Sequence, residues 1–409
     1  MSTRTHRRLA ATALIGGLAL AASACGSSSK TSTPTTASGG ASSPSSAGTT
    51  SDKVTALPNL MGMGTTVTLN PQTAAALTSL KVTVTPFGQA MAAKTASGGT
   101  AVTFPITGGY AEIHSDTSHQ PGYILGSIQH YNSGLTFTGG GKTLTVSDFV
   151  VDPANSMLYA TVGGKPKIPL LTLDGTAVKA GMSGSDVTLD GTVAKLTQTA
   201  ASALDSTFGT TAVTAGLPLG TVHLDLAGTP NTYSDKTTEI SRLSGQSTSV
   251  SLDAGTAMAL KGLGVAVAPQ GTATFDTATS TIGFPITGGF AAIHTNKSYQ
   301  PGYIAGVLIH QGSGITFSAG GKTLSITDFV VDPGSSTLTG TVGGKVGVPI
   351  ASLNGTPVQV SMVGSTVHLD GTIVNLTQTA AGALNTTFGT TAVKAGLPLG
   401  VAHIIVAGS

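Results

Sequence analysis

A long internal repeat constrains this chain more than any other feature. The segment Phe104-Pro105-Ile106-Thr107-Gly108-Gly109 returns as Phe284-Pro285-Ile286-Thr287-Gly288-Gly289, 180 residues later, and the register then holds to the carboxyl end. Well over half of the paired positions are identical. Upstream, Val67 to Leu69 matches Val250 to Leu252 at an offset of 183, so the loop ahead of the Phe-Pro motif is three residues shorter in the second copy. Each copy has about 165 residues, an ordinary domain size and far beyond the roughly 20 to 50 of a solenoid repeat. The repeat therefore predicts two tandem homologous domains, at 57–228 and 246–409, joined by a polar linker at 229–245. Each is long enough to bury a core of its own.

Within a copy, alternation of apolar and polar residues dominates. Lys142 to Val151 places Leu144, Val146 and Asp148 on one face until the pattern slips near Phe149, and Gly122 to Tyr131 places Ile124, Gly126, Ile128 and His130 on one face. Both read as half-buried strands. The 56 glycines and abundant threonine, with few Glu, Lys or Arg, suit short strands joined by glycine turns. Two Ala-rich stretches break the pattern, Pro71 to Leu80 and Gln198 to Phe208, and read as short helices, the second capped by Thr197. The expected architecture is mainly β: two tandem antiparallel β-sandwich or partly open barrel domains, each with two short helices closing its ends.

Ahead of the repeat, Arg4, His6, Arg7 and Arg8 precede an apolar run from Leu9 to Ala22, then Ser23, Ala24 and Cys25. This is the layout of an export signal over 1–24, and the apolar run is shorter than the roughly 20 residues a membrane span needs. Cys25 is the one cysteine of the chain. The small-small-Cys ending resembles the bacterial lipoprotein signal, which implies a diacylated Cys25 as the mature amino terminus; two acyl chains anchor stably where one does not. An ordinary secretory signal with an incidental cysteine is the other reading. From Gly26 to about Ser51 nearly every residue is Ser, Thr, Gly, Ala or Pro, so 25–56 reads as a lipidated, disordered tether to the outer face of the membrane. With one cysteine, neither an intramolecular disulfide nor a thiolate metal site is expected.

Only 9% of residues are charged and the net charge is +2. No basic run is present to neutralise phosphates, which argues against nucleic-acid binding. Tryptophan is absent and aromatics are 4%, which argues against stacking platforms for bases or sugars. No Gly-x-Ser-x-Gly elbow, His-Glu-x-x-His helix or phosphate-binding loop occurs, and Gly139-Gly140-Gly141-Lys142 reads as a hairpin turn. The chain is therefore expected to be non-catalytic.

Three histidines recur in both copies: His114 with His294, His130 with His310, and His223 with His403. In a chain so poor in charge they are the candidate ligand-binding residues, although duplication copies structural histidines as faithfully as functional ones. His130 shares its strand face with Ile124, Gly126 and Ile128, so its imidazole either hydrogen-bonds inside the core or lines an apolar pocket. Tyr123 and Tyr303, of the recurring Gln-Pro-Gly-Tyr motif, join the candidates. The pairs Asp148 with Asp328 and Asp152 with Asp332 also recur, and Asp152-Pro153 reads as a strand-end turn in which the carboxylate bonds its own backbone.

The order Phe-Pro-Ile-Thr-Gly-Gly, then Gly126-Ser127-Ile128-Gln129-His130-Tyr131-Asn132-Ser133-Gly134, then Thr143 to Phe149, and finally Leu196-Thr197 before an Ala-rich helix and Ala215-Gly216, resembles the HtaA-type domain. That family belongs to haem-uptake proteins on actinobacterial surfaces, often in tandem and mostly of β structure, so the resemblance implies a surface protein with haem as a possible ligand. The family's Trp-containing segment, which supplies its iron-ligating tyrosine, has no counterpart, and Gly140 and Gly141 stand where a further histidine is expected; no ligand residue carries over. Two functions fit the sequence: a surface lipoprotein whose domains bind haem, another apolar molecule or a cell-wall or surface partner, and a structural or adhesive spacer. An extracellular hydrolase, with His130 or His223 near Asp148 or Asp152, is a distant third.

Overall fold

The computed structural model describes residues 52–58, 60, 64–115, 124–183, 186–227, 231–235, 237–240, 242–295 and 304–407. Cys25, the expected signal, most of the tether, Tyr123 and Tyr303 lie outside the described residues. No helix among them is long and apolar enough to cross a membrane.

The protein is mainly β, with two large antiparallel sheets and four helices. The first sheet has 14 strands. Its path runs from Asn231–Asp235 through Asp52–Leu57, Gly108–His114, Ile124–Gly139, Lys142–Asp152, Met157–Val162, Lys165–Asp174, Asp186–Leu196, Pro218–Ala227, Gly64–Leu69 and Thr100–Pro105 to Met91–Lys94. The strand Thr83–Gly88 is added against Ile124–Gly139, and Lys179–Ser183 against Asp186–Leu196. The second sheet has 13 strands and repeats this order from Thr237–Ile240 to Thr274–Asp276. Phe104 and Phe149 lie six strands apart along the path of the first sheet, yet their rings meet edge to face at 5.1 Å, so the sheet curls back over its own core. Phe284 and Phe329 repeat the contact at 5.1 Å.

The helices are α1 (Pro71–Ser79), α2 (Gln198–Phe208), α3 (Ala254–Gly262) and α4 (Gln378–Phe388). Each starts at a side-chain cap: Asn70, Thr197, Asp253 and Thr377 accept backbone N–H bonds from the first turn. The second and fourth stop at Gly209 and Gly389 in the left-handed conformation. Helices α1 and α3 each bury a single residue, Thr73 and Thr256, whose hydroxyls donate to the carbonyls of Pro218 and Pro398 at 2.5 Å.

The structure differs from the sequence reading at three places. The tether expected to run to residue 56 already carries a strand at Asp52–Leu57, and the expected linker carries Asn231–Asp235, paired to that strand, and Thr237–Ile240, paired to Gly288–His294. Polar composition concealed Asn231–Asp235 and Thr237–Ile240, which lie at sheet edges and need no continuous apolar face, whereas Asp52–Leu57 is an interior strand too short to show a pattern beside the tether. The slip near Phe149 is a bulge: Asp148 has φ 55°, and its carboxylate accepts the Asn132 N–H at 2.8 Å where the partner strand loses register between His130 and Gly134. Finally, Ile124 to Tyr131 is buried on both faces and not on one.

The second buried face is where the copies meet. Tyr110, Leu125, Tyr131 and Val150 of the first pack with Phe290, Val307, Ile309 and Val330 of the second in one apolar cluster. Gly334 and Gly347 make room for it. A Cβ on Gly334 would lie 2.5 Å from the Tyr110 ring, and one on Gly347, which has φ +70°, 2.2 Å from the Tyr131 ring. Polar bonds cross the same seam: Gln129 Nε2 donates to Asp332 Oδ2 at 3.2 Å, Tyr131 Oη meets Thr339 Oγ1 at 3.1 Å, and Asn155 Nδ2 donates to the Gly289 carbonyl at 2.7 Å.

Candidate functional site

Each curled sheet encloses a cavity. The first, of about 690 Å³, is walled by Val, Leu, Ile and Phe side chains from the strands, by Ala74, Leu77 and Leu80 from α1 and its C-cap, and by Ala203, Leu204 and Phe208 from α2. The second, of about 470 Å³, repeats the arrangement with Phe284, Phe317, Phe329, Leu260 of α3 and Leu384 of α4. Alternation in Ile124 to Tyr131 turns Ile124, Ile128 and His130 toward the first cavity and Leu125 and Tyr131 toward the other copy.

His130 and His310 are the histidines that line these cavities. Both are 1% exposed. His130 Nε2 bonds Thr65 Oγ1 at 2.7 Å, and His310 Nε2 bonds Thr248 Oγ1 at 2.8 Å. Nδ1 of each is buried with no hydrogen bond of ordinary geometry. Burial lowers both imidazoles to about 4; the backbone of Phe149 and Ile128 beside His130, and of Phe329 and Leu308 beside His310, opposes this without overcoming it. At neutral pH each cavity therefore holds one uncharged imidazole in a mostly apolar wall. The two alternatives open in the sequence, a bonded core histidine and a pocket histidine, are both realised at the same residue.

The other recurring residues are placed elsewhere. His223 is a surface residue held between Asp190, which meets Nδ1, and Asp225, 3.0 Å from Nε2; the Asp190 bond and both charges raise its imidazole above the ordinary range against some desolvation. His403 bonds Asp370 at 3.0 Å. Neither lines either of these two cavities. His114 and His294 flank Glu112 in the seam between the copies. Asp152 behaves as the turn reading expects, accepting the Asn155 N–H at 3.1 Å, and Asp332 accepts that of Ser335 at 2.9 Å. Burial raises both carboxyls to about 7. Among the described residues no cluster of His, Cys, Asp and Glu is arranged to hold a metal ion.

A haem iron would need a free nitrogen or oxygen ligand. In the described cavity walls the imidazoles are those of His130 and His310; the Nε2 of each is committed to a threonine, which leaves Nδ1 as the nitrogen an iron would need. No Lys or Arg lines the first cavity to meet a propionate. The first cavity supplies volume and apolar surface for a haem but no basic partner for its carboxylates, whereas Lys261 lines the second.

No protein family matches the chain, and no curated protein matches it. Among solved structures it is similar to the C-terminal domain of HtaA from Corynebacterium glutamicum, with a TM-score of 0.29 and 14% identity over 41% of this chain and 99% of that one.

Proposed function

We propose that this protein is an exported, lipid-anchored and non-catalytic carrier whose two homologous β units each hold one uncharged, mostly apolar molecule. The observation that carries this reading is the repetition of a large apolar cavity with one buried neutral histidine in its wall. A buried polar group in an apolar wall orients a ligand by a single hydrogen bond while burial of apolar area supplies the affinity. The low pKa keeps each imidazole neutral, which suits a hydroxyl, carbonyl or ester better than a carboxylate. The signal-like amino terminus, Cys25 and the Ser/Thr-rich tether support a carrier exported and anchored outside the membrane, with the cell wall or a surface protein as its proposed partner.

The test is a titration of the mature protein with the uncharged fluorophore N-phenyl-1-naphthylamine and, in parallel, with haem. Saturable fluorophore binding that weakens in the His130→Ala plus His310→Ala double variant supports the carrier. A Soret shift lost in the same variant would instead make the ligand haem, with a wall that rearranges to free the imidazoles. No binding of either probe would leave the spacer reading.

A further inference from the structure

The two cavities are not lined to the same depth, and the difference falls where three matched core positions change together. The first cavity runs from the α1 side past Ala194 into a second chamber lined by Val178, Leu189 and Leu224, ending at the Asp174-Gly175-Thr176 turn. The second cavity stops at Ala351 and Val374; Val358, Leu369 and Ile404, which match the far chamber, do not line it, although both sets of residues belong to equivalent core clusters.

Ala194 and Val374 occupy the same place in the repeat, on Asp186–Leu196 and Thr366–Leu376. Each is the middle of three neighbouring strands. Ala194 pairs with Leu173 on one side and Gly220 on the other, and Val374 with Leu353 and Gly400. Around Ala194 the flanking core residues are Leu171 and Val222, so size across the strands runs large, small, large. In the second copy Ala351, Val374 and Ala402 invert it to small, large, small. The inverted trio closes into a small buried cluster of its own, joined by Leu338 and Leu353, at the level where the first copy stays open. In the first copy Leu171 and Ala194 belong to the main core cluster, Val222 packs against it, and the cavity lining continues past Ala194 to Leu189 and Leu224.

We infer that Ala194 and Val374 are specificity-determining residues that set the length of ligand each copy accepts. Ala194 admits a long aliphatic tail into the far chamber, and Val374 limits the second cavity to a shorter one. The ligand class is a linear, mainly aliphatic molecule with one uncharged polar end, and the protein carries a long and a short member of it together. This rests on the carrier reading above.

The experiment displaces N-phenyl-1-naphthylamine from the full mature chain with alkan-1-ols of increasing length, in wild type, A194V and V374A. Wild type should show two classes of site that differ in the longest alcohol accepted. A194V should weaken the longest alcohols at the first site by about tenfold or more while short ones bind as before. V374A only removes atoms, so if A194V fails to fold it still serves, and it should extend the tail accepted at the second site. A folded V374A protein with an unchanged length limit, or wild-type sites of equal length limit, would overturn this assignment while leaving the carrier reading intact. Absence of fluorophore binding in every protein would overturn the carrier reading, and the assignment with it.

Discussion

Glu112 Oε1 stands 3.3 Å from His294 Nε2, with both side chains fully buried, although the two residues belong to different copies of the repeat. The same carboxylate has its other oxygen 3.9 Å from His114 Nε2, so one glutamate serves both members of a duplicated histidine pair. Its own repeat counterpart is Ala292, which makes the seam between the copies asymmetric. Removing one partner of a buried hydrogen bond leaves the other unsatisfied, which costs about 1 to 3 kcal/mol. Glu112→Ala should therefore lower the urea midpoint by the equivalent of about 1 to 3 kcal/mol, and Glu112→Gln, which keeps an acceptor, by less. An unchanged midpoint for Glu112→Ala would mean that this pair does not hold the copies together.

The glycines of the seam give a second prediction. Gly334→Ala places a methyl against the Tyr110 ring, and overpacking of this kind costs about 1 to 3 kcal/mol. In a double-mutant cycle Gly334→Ala should be less damaging in a Tyr110→Ala background, with a coupling of at least about 0.5 kcal/mol. Strict additivity would place the ring elsewhere.

Buried titrating groups oppose one another in pH. His130 and His310, lowered to about 4, contribute stability that is present above 6.5 and is lost as pH falls toward 4, roughly 3 kcal/mol each. Asp152 and Asp332, raised to about 7, contribute stability that is present below 3.8 and is lost as pH rises to 7, roughly 4 kcal/mol each. The two trends offset one another between pH 4 and 6.5. Thermal unfolding of the wild type should vary little across that window, and the Asp152→Asn plus Asp332→Asn variant should gain stability steeply with rising pH. A variant curve parallel to the wild type would contradict the neutral burial of these aspartates.

The anchor is tested at Cys25. Detergent-phase partitioning of the protein from an exporting bacterium should place wild type with the membrane lipoproteins and Cys25→Ser in the aqueous phase or unprocessed. Equal partitioning of the two would reduce the amino terminus to an ordinary secretory signal.

Much of the fold was legible in the sequence because it is local. The caps at Thr197 and Thr377, the Ala-rich helices and the alternation that turns His130 inward all follow from spacing within a few residues. The seam was not legible, because the partners of Tyr110, Gln129 and Tyr131 lie about 200 positions away, and alternation reports one buried face without naming what covers the other. One signal for it was present. Glu112 against Ala292, Gln129 against Ile309, Tyr131 against Gln311 and Lys167 against Gly347 are departures within otherwise matched segments, and Glu112, Gln129 and Tyr131 themselves bond residues of the second copy. Lys167 fits the same logic: it is buried with its ammonium 5.2 Å above the Tyr131 ring, and desolvation lowers it to about 8. The cavities themselves arise from curling of whole sheets and leave no short motif.

The central claim is that each copy holds its own apolar ligand, and native mass spectrometry of the mature protein with a saturating long-chain alkan-1-ol tests it most directly. The account predicts up to two ligands per chain, falling to one when either His130→Ala or His310→Ala weakens its own site. A chain that takes up no ligand at saturation would contradict it.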